Sequence, residues 1–270
     1  MIRWLKNHIF KSEFNKNVAK LVSGTASANL ITVLFLPILT RLYSIDAFGH
    51  FQLLLSVSLI LTVISTLKYE MTIPLSKSKV DSDSLFVVSI INLIGLSFVT
   101  FILIHFFGES ILSIYDATHL SEYRWWISLA VFSAGGFELM NYVYMNNKAF
   151  GLIAKYRILQ VGLIQSVSLA YGLINPSFMG LLIAYLFGNG FVTLLMLFKS
   201  NISVRSVNIK YAIRLAYKYK KFPLINAPMA LINTFSMQLP VFMLSAYFSP
   251  EVVGFYMIAN KMITMPLNLI

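Results

Sequence analysis

The chain has 270 residues, 58% of them hydrophobic and 11% charged, with a mean hydropathy of +0.76. Soluble domains run nearer ~45–50% apolar and ~25% charged, so a water-soluble globule is excluded, and a bilayer needing ~20 apolar residues per crossing becomes the ruler. The lack of cysteine excludes disulfides and thiolate sites, and the net charge of +11 sits in loops between apolar runs, which argues against a nucleic-acid groove.

Residues 1–20, "MIRWLKNHIFKSEFNKNVAK", hold no continuous apolar core and no small-residue cleavage site. They read as a basic interfacial segment before an uncleaved first span. Apolar runs long enough to cross follow at 18–40, 48–67, 85–107, 125–146, 158–174, 178–198 and 224–246, and an eighth begins near Gly254. Lipid offers no partner to an open backbone group, and no run alternates with period two, so each run is expected to be helical. The fold class is an all-α polytopic membrane bundle of about seven to eight spans.

Lys and Arg number 5, 3, 3 and 7 in segments 1–20, 68–84, 147–157 and 199–221, against 1, 1, 0 and 0 in the alternate connections 41–47, 108–124, 175–177 and 247–253. Such asymmetry places the N-terminus in the cytoplasm. The basic stretch 199–221 reads as a cytoplasmic amphipathic helix drawn to anionic headgroups. It divides a six-helix bundle, 1–198, from the start of a second bundle, 222–270.

Two stretches punctuate the chain alike: "LPILTRLYSIDAFGHF" at 36–51 and "LPVFMLSAYFSPEVVGFY" at 239–256. In each, a span ends in Leu-Pro, turns on one side and re-enters at a glycine. Ser249, Pro250 and Glu251 form a helix start, and Ser44 with Asp46 can cap the second span in the same way. Both copies enter from the same side, which is the parallel type of internal repeat.

These stretches, with "KYEMTIPLSKS" at 68–78 and "KFPLINAPMALINTFSMQLPVFML" at 221–244, resemble the O-antigen-type (Wzx-like) polysaccharide-biosynthesis flippases of the multidrug/oligosaccharidyl-lipid/polysaccharide exporter superfamily. The family's turn matches Leu39 to Gly49. Its R-Y-E-x-x-I matches Lys68 to Ile73 with Lys for Arg. The resemblance implies two six-helix bundles around a central cavity, of which this chain carries the first and the start of the second. It also implies movement of undecaprenyl-diphosphate-linked oligosaccharide across a bacterial inner membrane. Polysaccharide assembly proteins and H⁺ or Na⁺ coupling are partners to consider, and no cofactor is expected.

Carrying a diphosphate through hydrocarbon calls for a wet, polar, partly cationic path. Thr25, Asn29 and Thr32 share one face of the first span, while Asn226 and Asn233 lie seven apart in the seventh. Such stripes serve interhelical hydrogen bonding as well as substrate. Arg41 belongs to the first turn and either anchors its span or touches substrate. Lys261 sits about 10 Å into the eighth run at ~1.5 Å per residue, where it can meet the diphosphate, meet Glu138, or snorkel to the surface. Glu138 is the carboxylate well inside a span, so it must face protein or water, as a coupling site, a gate paired with a base, or a structural acid. Pro37, Pro228, Pro240 and Pro266 each remove a ladder hydrogen bond and are expected to bend their helices. The four histidines have no metal spacing. An integral-membrane polymerase or acyltransferase is the alternative from another class, and a drug/cation antiporter of the same superfamily is a third reading.

Overall fold

The computed structural model describes residues 13–114, 125–204 and 207–267, and they are helical with no strand among them. The long helices are α1 (Glu13–Leu42), α2 (Ile45–Ile64), α3 (Lys79–Ile114), α4 (Trp125–Asn146), α5 (Phe150–Ile174) and α6 (Phe178–Lys199). A short amphipathic helix α7 (Ile209–Lys218) follows, then α8 (Ala227–Tyr247) and α9 (Pro250–Leu267). Six segments among the described residues, Ala19–Leu42, Ile45–Ile64, Lys79–Phe107, Phe150–Ile174, Phe178–Lys199 and Phe222–Tyr247, are long and apolar enough to cross a membrane. Helix α4 packs among them against α2, α3 and α6. It carries Ser, Gly, Glu and Asn because it meets protein on most sides, with Ala130, Val131, Leu139 and Met140 buried. The chain is a multi-pass membrane helix bundle.

The structure departs from the sequence reading in several places; α3, for one, spans Lys79–Ile114 rather than 85–107. Helix α5 begins at Phe150 rather than 158, so Lys155 and Arg157 are helical rather than part of a connection. Cations near a helix end can keep their heads in water while their stems cover apolar surface, so charge there does not stop a helix. Between α2 and α3 lies a 3-10 helix, Tyr69–Leu75, in what reads by composition as a polar link. Pro228 falls in the first turn of α8, just after a π turn at Phe222–Asn226. The wider π turn makes room for a residue that lacks an N–H, so Pro228 is absorbed there, whereas Pro37 and Pro240 do sit inside their helices.

Two apolar cores stack along the bundle. One, at the ends of the helices away from most of the lysines, gathers Leu39, Tyr43, Phe48, Phe51, Leu54, Val131 and Leu181. The Tyr43 hydroxyl donates to the Ser168 carbonyl at 2.6 Å and ties α1 to α5. The other, at the lysine-rich end, gathers Ile73, Phe86, Phe137, Met140, Tyr144, Met196 and Leu215. Helix α7 joins this second core through Ala212 and Leu215 and leaves Ile209, Ile213 and Tyr217 exposed. The Asn208 side chain caps its start, accepting from the backbone N–H of Lys210 at 2.9 Å and of Tyr211 at 3.4 Å.

Candidate functional site

At the lysine-rich end, α2 stops at Ile64 and the chain passes through two left-handed residues, Leu67 (φ 53°) and Lys68 (φ 60°). A non-glycine residue held there costs about 1–3 kcal/mol and persists only where the surroundings enforce it. The surroundings are ionic. The Lys68 ammonium lies 3.5 Å from Glu70 Oε1 and 3.8 Å from Glu138 Oε1. The Thr66 hydroxyl donates to the second oxygen of Glu70. Lys68 and Glu70 are buried at 6% and 2% exposure, while Glu138 of α4 is part-open. Two carboxylates share one ammonium, so a fully ionised cluster would carry one uncompensated negative charge. Desolvation pushes the Glu70 carboxyl above its ordinary value, against the pull of Thr66 and Lys68, and Glu138 pushes it further the same way. Tyr142 lies within electrostatic range of both carboxylates, and Tyr185 within range of Arg157 and Glu138.

At the lysine-poor end the two punctuated hairpins meet each other. Ile45 and Pro250 are the first residues of α2 and α9, and Gly49 and Gly254 stand four residues on in each. A Cβ on Gly49 would lie 1.8 Å from the Pro250 carbonyl oxygen, and one on Gly254 would lie 2.0 Å from the Ile45 carbonyl oxygen. Each glycine thus admits the first turn of the other helix, and the contact is reciprocal. Ser44 accepts from the backbone N–H of Ala47 at 3.2 Å, the cap expected for α2, and Pro250 opens α9 with Glu251 in its first turn. Deeper in, Gln52 donates to Ser56 at 3.2 Å, and Ser56 donates to Gln238 of α8 at 2.8 Å. Beyond the crossing α9 loosens: Val253, Gly254 and Met257 are buried, but Asn260 and Thr264 are exposed.

The residues singled out in the sequence scatter over this frame. Thr25 is exposed, Asn29 is part-buried, and Thr32 is buried with its hydroxyl on the Ala28 carbonyl at 3.1 Å. Thr32 and Lys261 are brought together: with Gln165 and Ser168 of α5 they line one small cavity of about 40 Å³. Arg41 is exposed in the last turn of α1. Asn226 lies in the π turn, and Asn233 is exposed with its amide 4.0 Å from Met237 Sδ. Neither asparagine lines the Thr32 cavity. Helices α1 and α8 do not pack closely on each other, but both abut α9. Glu138 pairs with Lys68, not with Lys261.

Sequence reasoning overlooked Lys68 and Glu70 as site residues, although both lie in the quoted "KYE". It also overlooked the buried amide pair between α5 and α6, where Gln160 donates to Asn189 at 2.6 Å. The signal for that pair was an asparagine between two glycines in an apolar run, "FGNGF" at 187–191. Among the described residues no group of His, Asp and Glu could hold a metal ion.

No curated relative and no solved structure matches the chain. A family model described as "Polysaccharide biosynthesis protein" matches residues 22–270, from the third turn of α1 onward and including both hairpins and the buried ion cluster. The chain therefore belongs to the polysaccharide biosynthesis protein family.

Proposed function

We propose that the chain forms the working bundle of a flippase that moves undecaprenyl-diphosphate-linked oligosaccharide repeat units across the bacterial inner membrane by alternating access. Its N-terminus and lysine-rich end face the cytoplasm. The observation that carries this reading is the reciprocal crossing of α2 and α9 through Gly49 and Gly254. It supports a closed outer end, because backbone-to-backbone contact leaves no gap between α2 and α9; the cavity of about 430 Å³ beside the crossing lies on the side of the α8–α9 turn. Toward the other end α1, α8 and α9 present Ser23, Thr25, Ser27, Asn233, Asn260 and Thr264 on exposed surface. Ser23, Ser27 and Thr264 bond back to carbonyls of their own helices, and an exposed row of such polar groups with Asn233 and Asn260 suits water or cargo better than lipid. Helices joined at one end and carrying exposed polar groups toward the other suit one state of a rocking carrier.

In this reading the Lys68–Glu70–Glu138 cluster is the latch at the inner end of α2. Lys68 bridges the end of α2 to α4, and Glu138, its more open partner, is the one that a proton, a sodium ion or the arriving diphosphate would release. Transport by Glu138→Gln is expected to fall well below that of Glu138→Asp, because only the aspartate keeps a charge for Lys68. Equal activity of the two variants would remove Glu138 from the mechanism. For topology, a cysteine at Ser249 is expected to react with impermeant reagent from outside, and labelling there only after lysis would reverse the orientation. The corresponding positions Ala117 and Ser206 lie outside the described residues; a cysteine at the former is expected to label from outside and one at the latter only after lysis.

A further inference from the structure

We propose that the cavity at the lysine-rich end, between the start of α3, the end of α4 and the end of α6, binds the phosphate of a membrane-lipid headgroup. The cavity encloses about 670 Å³ and lies against Ser76, Lys77 and Ser78, the part of the 68–78 segment to which the transport reading gives no task. Three lysines, Lys77, Lys79 and Lys199, open onto it, and Asp83 is the one acid on its wall. The Asp83 carboxylate already accepts the backbone N–H of Ser203 at 3.4 Å. Among the described residues no ion pair engages any of the three lysines. The site therefore carries excess positive charge lined with small donors.

The polar wall is held in place from within. The Ser76 hydroxyl donates to the Asn146 side-chain oxygen at 3.4 Å, and the Asn146 amide donates to Ser82 at 3.1 Å. That chain spans α3 and α4 and orients the amide and hydroxyls toward one space. Ammonium groups beside hydroxyl and amide donors are the chemistry that receives a phosphate oxyanion.

The surroundings select a lipid over a free anion. Leu75, Val80 and Phe198, each next or nearly next in sequence to a cavity residue, are exposed at 54%, 53% and 82%. Apolar side chains of this size beside a basic cavity, at the end of spanning helices, offer contact to acyl chains while the headgroup reaches the lysines. Inorganic phosphate would gain nothing from them. The inference rests on the membrane-spanning fold and not on transport, so either can fail without the other.

The test is native mass spectrometry of the purified full chain in detergent, titrated with phosphatidylglycerol and, separately, with inorganic phosphate. Substituting all three cavity lysines (K77Q/K79Q/K199Q) is expected to weaken phosphatidylglycerol binding by about tenfold or more, given that each basic residue near an anionic headgroup contributes appreciably. Removing as many charges from α7 and the turn after it (K210Q/K218Q/K220Q) is expected to leave it within about twofold, since none of these lines the cavity. The single variants K77Q and K199Q should each show part of the loss, so the proposal stays testable if the triple variant folds poorly. Equal loss in both triple variants would reduce the binding to general surface charge and overturn the site. Displacement of the lipid by inorganic phosphate at equal concentration would make it a free-anion site and overturn the lipid assignment.

Discussion

The two ends of the bundle solve the problem of joining helices by opposite means. At the lysine-poor end α2 and α9 cross with nothing between them, because glycine lets one backbone lie on the other. At the lysine-rich end α2 is held to α4 by a buried ammonium between two carboxylates, across a left-handed turn that the backbone does not favour. The first joint is made of shape: backbone meets backbone at the glycines, and the His50–Asp46 pair beside them, at 3.1 Å, lies within α2 and does not bridge to α9. The second is made of charge, and its balance depends on whether a proton or another ion is present. Under the proposed transport function, this division would let one end stay closed while the other is released on cue.

The comparison breaks most readily at the charged end. Lys68→Met should destabilise the chain by about 3–5 kcal/mol, the range for removing one partner of a buried ion pair. The double variant Lys68→Met/Glu70→Met should recover much of that loss, because a buried pair replaced by apolar groups is often neutral. Unfolding in detergent, followed by helicity, measures both; a double variant no better than the single would mean that the loss lies in the left-handed turn and not in the charges.

The glycine joint should respond next. Gly49→Ala and Gly254→Ala each force a methyl into an opposing carbonyl and should cost about 1–3 kcal/mol or more. Gly95 and Gly162 sit in helices with nothing within 4 Å of a new Cβ. Alanine there should raise stability by a few tenths to about 1 kcal/mol, since it removes only the helix cost of glycine. Opposite signs for the two pairs, read by thermal unfolding, separate a close approach from ordinary helix propensity; the same sign for both would deny the crossing.

A smaller effect concerns pH. Glu70 holds its proton in the folded chain to a higher pH than it does unfolded, so folded protein binds more protons just above the ordinary glutamate value. Stability should therefore fall as pH rises from about 4.5 through the folded value, and Glu70→Gln should flatten that slope. A slope unchanged in the variant would place the titration elsewhere. Smallest is the tie between α2 and α8. Gln238→Leu, which takes the acceptor from the Ser56 hydroxyl, should cost about 0.6 kcal/mol, the average for an interhelical hydrogen bond in a membrane bundle.

Much of the fold was legible because a bilayer imposes it. Apolar runs gave the helices, and the helix start at Ser44 and the Pro250 opening of α9 could be read from residue type alone. The early start of α5 was hidden, since Lys155 and Arg157 resemble loop residues when only composition is weighed. The site was legible in pieces. The twin hairpins stood out as a repeat, but that Gly49 and Gly254 would touch each other's helices is a fact of packing that no local pattern carries. Glu138 stands out because charge is rare in a span, whereas its partner Lys68 has the look of a polar link by composition. A left-handed turn and a 3-10 helix fold that link back into the core, and neither leaves a periodic trace. Asn226 and Asn233 share a helical spacing in the sequence, which says nothing of their distance from the cavity lined by Thr32 and Lys261.

The most direct test of the central claim places the purified chain in liposomes loaded in one leaflet with undecaprenyl-diphosphate-linked sugar. The sugar is expected to reach the other leaflet faster than in protein-free liposomes and to be recovered chemically unchanged, with Gly49→Ala slowing the movement. Sugar that stays where it was loaded, or that returns elongated or acylated, would contradict the account.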